Sequence, residues 1–158
     1  MKIQMVPNIT VMLSYKNKPK LSINSIKFNN DKLAWAANEN SKERFKSNEI
    51  LWTLQCNEKY SKKIINLFKN NKNYYLKEIA KEFENLIGFK VKDLIFKNIH
   101  GWRYAYNLQS RNLNPSWISK HNLGICADWL NGSKAENAWL SANDLYEKIK
   151  KNPPKRRV

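Results

Sequence analysis

Glycine is scarce in this chain. Four occur in 158 residues, at positions 88, 101, 124 and 132. None forms a G-x-G-x-x-G loop, so these residues hold no glycine-rich turn that could cradle a pyrophosphate. Histidine and cysteine are rarer still, two of each. His100 and His121 lack a Cys or His partner at ligand spacing, which excludes the common metal sites. Cys56 and Cys126 lie far apart in apolar, strand-like runs and read as two reduced core thiols, not a disulfide. No G-x-S-x-G element or Cys/His pair marks a nucleophile. No apolar run approaches the roughly 18 residues that span a bilayer. The opening MKIQMVPNIT lacks an apolar stretch of signal-peptide length, so the expectation is a cytoplasmic protein.

Acidic residues are also few: 13 against 29 Lys and Arg, a net charge of +16. Such an excess suits a polyanionic partner. The lysines, however, are scattered among many asparagines, as on solvated faces, and nucleic-acid binding is the secondary reading. The densest cluster, Lys150, Lys151, Lys155, Arg156 and Arg157, is broken by Pro153 and Pro154 and reads as a basic tail over 152–158. A hydrophobic content of 42% with 12% aromatics indicates a folded domain with a substantial core.

Along the chain, residues 1–8 carry no pattern, and Pro7 argues against a regular element. Residues 9–15 (ITVMLSY) predict a strand, 16–20 a basic turn, 23–28 a second strand, and Asn29-Asn30-Asp31 a turn. Residues 33–37 (LAWAA) have strand length, and 38–48 read as loop. Residues 49–56 alternate, with Ile50, Trp52, Leu54 and Cys56 on one face. A helical face follows at Tyr60, Ile64, Leu67 and Phe68. A fuller one comprises Leu76, Ile79, Ala80, Phe83, Leu86 and Ile87, capped by Gly88. Residues 91–106 return to extended character, 108–122 read as loop, and 123–127 as strand. A last helix is expected from Glu136 to about Lys151, with its stripe at Ala135, Ala138, Trp139, Ala142, Leu145, Tyr146 and Ile149. Strands grouped apart from helices predict an α+β fold with a mostly antiparallel sheet and two helices, followed by a terminal strand–helix unit.

That terminal unit, residues 123–141 (LGICADWLNGSKAENAWLS), has the most chemical character. An apolar run stops at Asp128, a small polar loop follows, and a helix opens. Helix N-termini attract negative or electron-rich groups because their first N–H groups lack partners, which makes this a candidate half-site for a polar cofactor. Plainer readings stand beside it. Asp128 also suits a capping acid, and Trp129 and Trp139 suit packing. Trp102 and Tyr104 alternate on a strand and suit a filled sheet face. Arg103 points the other way, as a surface residue or as a bidentate holder of an anion.

Residues 126–141, CADWLNGSKAENAWLS, resemble the carboxyl-terminal flavin motif of renalase-like NAD(P)/FAD-dependent oxidoreductases of the amine-oxidase superfamily, roughly C-G-D-W-x-x-G-x-[RK]-V-E-G-A-W-L-S-G. The segment 102–105 (WRYA), the run 33–42 (LAWAANENSK) and the strand 50–55 (ILWTLQ) resemble further stretches of that family in collinear order. The resemblance implies a substrate-binding domain over 1–122 and the last strand and helix of a Rossmann-type FAD domain over 123–151. It implies FAD as cofactor, with a small amine or reduced nicotinamide (NAD(P)H-type) substrate. It also implies a separate amino-terminal Rossmann chain as a partner, or else a split or truncated gene product. Asp128 would accept hydrogen bonds from a flavin hydroxyl, beside Trp129. The backbone N–H groups of Asn137, Ala138 and Trp139 would face the pyrimidine edge of the isoalloxazine. Trp102, Arg103 and Tyr104 would line the substrate pocket. Ala127, Asn137 and Ala142 stand where the family has glycine.

Overall fold

A computed structural model describes residues 4–16, 22–44, 47–88, 93–108, 114–130, 132 and 134–154. The expected basic turn at 17–20, the strand positions 91–92, the loop residues Asn131 and Ser133, and the tail at 155–158 lie outside the described residues. The chain divides into two compact units, one of residues 7–105 and one of 1–6 with 106–158.

The alternating runs build the sheet of the first unit. Its strands are β1 (Met5–Tyr15), β2 (Ser25–Lys27), β3 (Leu33–Asn38), β4 (Ile50–Cys56) and β5 (Leu94–Asn107), in the order β2-β3-β4-β1-β5. β1 runs antiparallel to β4, from Thr10 opposite Gln55 to Tyr15 opposite Ile50. β3 is antiparallel to β4, with a register shift between Leu33 and Trp35, and β2 is antiparallel to β3. Because side chains alternate across a strand, one face collects Ile9, Val11, Leu13, Tyr15, Ile50, Trp52, Leu54 and Cys56, all buried.

Helices α1 (Glu58–Ile64) and α2 (Lys72–Ile87) close over that face. Phe83 stands edge-on to Trp52 and Phe28, with ring centroids 5.3 and 6.3 Å away. Asn57 starts α1 by accepting from the Tyr60 N–H at 2.7 Å, while its amide donates to the Asn30 carbonyl. Gly88 ends α2 at φ 75°, where its N–H reaches the Glu84 carbonyl. The expected α+β class with a mostly antiparallel sheet is what forms. Three expectations fail locally. β1 starts at Met5 and contains Pro7; the β4 ladder engages only Thr10–Tyr15, so on that side Pro7 needs no N–H to donate. Leu67 and Leu86 are exposed because their turns rotate them off the core.

The second unit is smaller. β6 (Ser116–Ile118) pairs antiparallel with β7 (Leu123–Ile125), through a 3-10 turn and Asn122 at φ 50°. The region read as loop over 108–122 therefore contains a strand; three residues are too few to show a period. A 3-10 turn over Asp128–Leu130 leads to helix α3 (Ala135–Lys151). The buried face of α3 carries Ser141 and Leu145, and Ala135, Trp139, Ala142 and Tyr146 of the expected stripe are exposed. Ser141 explains the rotation: its hydroxyl accepts from the Ala127 N–H at 3.0 Å, turning a polar residue inward. Cys126, expected in the core, is exposed, as are all three residues of β7 before it.

Candidate functional site

In the second unit, the turn bearing Asp128 and Trp129 packs against α3. Leu130 is buried beneath it, and the Asn107 amide donates to the Trp129 carbonyl at 3.3 Å. Asp128 and Trp129 are half-buried. The family-like acid is thus held by a docked turn joined to the helix through the Ala127–Ser141 bond. The β6–β7 pair is tied to the other end of α3. Lys148 donates to the Pro115 carbonyl, the Trp117 indole N–H to the Asn152 carbonyl, and the Asn152 amide to Ser119 Oγ. A Cβ on Gly124 would come within 2.9 Å of Leu145 Cδ2, so only glycine lets this strand lie so close to the helix.

At the start of α3, the N–H groups of Asn137 and Ala138 both point to the Lys134 carbonyl, at 2.9 and 3.4 Å. The first-turn groups for which an α-helix supplies no acceptor are those of Ala135 and Glu136, two residues ahead of the positions the resemblance implies. The Asn137 side chain donates to the Gly132 carbonyl at 3.1 Å, which bridges the loop to the helix where the family has glycine. Ala138 is half-buried, and Trp139 is 66% exposed.

In the first unit, the sheet face opposite the helices carries the other implied residues. Trp102 and Tyr104 share it and are 53% and 73% exposed. Arg103 points to the helix side and donates to Asn66 Oδ1 at 2.8 Å, as alternation requires, so it does not line a pocket with its two neighbours. The same open face carries Phe96 and His100. The His100 ring lies 4.4 Å from that of Trp102.

Farther along this face is a groove of about 390 Å³, lined by Met12, Leu51, Thr53 and Phe96 with Glu39 and Arg44. Burial alone would raise the Glu39 pKa. Hydrogen bonds from Lys42 and Thr53, with the charges of Lys42 and Arg44, outweigh it and hold the carboxyl below its ordinary range. Sequence reasoning missed this groove. The signal was present in Thr53 and Leu51, which alternate with the core residues, but residues 38–48 read as featureless loop. Within that stretch Glu39–Lys42 form a 3-10 turn, in which Asn40 bonds to both sides of β4's start.

Among the described residues no cluster of His, Cys, Asp and Glu could hold a metal ion, and no helix is long and apolar enough to cross a membrane. Cys56 is buried, and burial, with a smaller contribution from the Glu78 charge, pushes its thiol up to about 12. It is an unreactive core residue. No protein-family model matches the chain.

Proposed function

We propose that this chain is the substrate-binding, carboxyl-terminal part of an FAD-dependent oxidoreductase of the renalase-like, amine-oxidase kind. It acts with a Rossmann-type segment, in the same polypeptide or a separate one, that supplies the glycine-rich loop. The terminal strand–turn–helix unit is read as the last strand and helix of the flavin domain. The observation that carries this reading is the build of that unit. An acid sits in a turn docked on a helix, while Leu123, Ile125, Trp139 and Leu140 of the same unit remain exposed. A half-site with an apolar border suits a missing partner surface.

The residues present fit one edge of a flavin. Asp128 offers an acceptor for a hydroxyl of the cofactor's sugar-like chain, and Trp129 backs it. The first turn of α3 offers backbone donors and the positive end of a helix dipole to an electron-rich ring edge. The Asn137 amide is engaged by Gly132 and contributes bulk at that edge. Bound flavin would supply the electron sink for a hydride from a small amine or reduced nicotinamide-type substrate. The chain's own part is to orient that substrate on the open sheet face, between the rings of Trp102 and Tyr104 and the apolar groove at Met12, Leu51 and Phe96. Arg103, on the other face, braces β5 against Asn66.

The test is co-expression with a Rossmann-type chain that carries a glycine-rich loop. The purified complex is expected to absorb in the flavin bands, and Asp128→Ala to weaken FAD retention about tenfold or more, roughly 1.4 kcal/mol. A colourless complex, or equal flavin content with and without Asp128, refutes the reading.

A further inference from the structure

Strand β5 is an edge of the five-stranded sheet. On the face away from the helices it carries an exposed row: Phe96, His100, Trp102 and Tyr104. Asn98 separates Phe96 from the other three, and His100, Trp102 and Tyr104 follow a two-residue period, so these neighbours stand about 6.8 Å apart along the strand. That is twice the roughly 3.4 Å thickness of a stacked base. His100 and Trp102 already contact one another at 4.4 Å, with a 58° tilt, and form one continuous aromatic surface next to Tyr104.

The unit that carries this row has a net positive charge. Residues 7–105 hold nineteen Lys and Arg against nine Asp and Glu, ten of the chain's sixteen net charges. Of those acids, Glu39, Glu58, Glu78 and Glu82 are each engaged in an ion pair. A polyanion is therefore attracted to this unit, and the ring row is where stacking would hold it. Scattered lysines alone give only non-specific attraction. Exposed rings on a sheet within a cationic surface give the two components of sequence-tolerant, single-strand recognition.

We propose that the open face of the sheet binds single-stranded nucleic acid, with successive bases stacked on Trp102 and Tyr104, beside His100, and the backbone attracted by the unit's excess of cations. Duplex does not fit, because its bases are already stacked on each other. The proposal does not rest on the flavin reading, although both use Trp102 and Tyr104. It is tested on the chain with no flavin present, so the two fail separately.

The experiment is fluorescence anisotropy of a labelled fifteen-nucleotide oligo(dT), titrated with the full chain at 50 mM and 200 mM salt, with oligo(rU) and a duplex of the same length as comparisons. The expected result is saturable binding that weakens with salt, prefers either single strand over the duplex, and quenches tryptophan emission. Trp102→Ala with Tyr104→Ala is expected to weaken it at least tenfold. Trp102→Phe with Tyr104→Phe keeps the rings and is expected to stay within about threefold of the parent. Both positions are exposed, so circular dichroism of the variants should match the parent. Duplex binding as tight as single strands, equal affinity in the alanine pair, or quenching that follows protein concentration alone (a second copy on this face) would each overturn the proposal.

Discussion

At the scale of single residues, the most consequential groups are a buried acid, Glu84, and a half-buried one, Glu78. Glu84 sits on α2 within the core, where Tyr15 donates its hydroxyl to Glu84 Oε1 at 3.1 Å. Burial raises the Glu84 pKa, and it prevails over the opposing hydrogen bond from Tyr15 and the charge of Lys97. A folded pKa above the unfolded one means that the folded state holds the extra proton between the two values. The stability this group contributes is therefore present at low pH and lost as pH rises through the folded pKa. Glu84→Gln keeps an acceptor for Tyr15 and removes the ionisation. We expect it to stabilise the chain by about 1 kcal/mol at neutral pH or above, and to flatten the upper limb of a melting-temperature profile against pH. An unchanged profile would contradict this. Glu78 has the opposite sign. Burial would raise its pKa, but hydrogen bonds from Lys32 and Tyr60 and the charges of Lys32 and Lys63 lower it. Its contribution is present above the unfolded pKa and lost as pH falls through the folded one. Lys32→Met should remove part of that acid-side loss.

At the scale of elements, the fold depends on a few side chains that connect neighbours. Asn57 both caps α1 and holds the Asn30 turn, so Asn57→Ala removes two bonds. It is expected to cost about 1–2 kcal/mol in a denaturant titration with no change in slope; a loss below about 0.3 kcal/mol would show that the cap is replaced by water. Gly124 is the equivalent point in the second unit. Gly124→Val forces a branched side chain against Leu145, and we expect about 1–3 kcal/mol of destabilisation by overpacking, checked by faster amide exchange along β6 and β7. Gly101 lies equally close to Ile65 and Phe68, with a Cβ only 3.0–3.1 Å from their carbons. These close approaches could not be read in the sequence, where glycine signals a turn as readily as a contact.

At the scale of the whole molecule, several elements were legible and others were not. β4 announced itself through strict alternation, and α2 through its repeat of Leu76, Ile79, Ala80 and Phe83 with glycine after it. β6 and β7 did not, because three residues fit any period. The rotation of α3 was hidden because Ser141 is a better inward residue than Trp139 only when the Ala127 N–H is beside it. Of the implied site, Asp128 and Trp129 come onto one turn against α3, and alternation alone separated Arg103 from Trp102 and Tyr104. The apolar surface of the second unit leads to a molecular prediction. Without a covering partner the chain should associate as concentration rises, and Trp139→Lys with Tyr146→Glu should shift sedimentation toward the monomer. A parent chain that stays monomeric at every concentration would contradict it.

The amino-acid sequence by itself determined the class of fold, the long strand and helices, the core side of β4 and the motif around Asp128. Each of these rests on local periodicity or on residues adjacent along the chain. Tertiary structure alone decided how Glu39 and Arg44 border a groove with Phe96, and which side of α3 is buried. Those outcomes depend on contacts between distant segments, and a hydrogen bond or a missing Cβ a dozen or more residues away outweighs local preference.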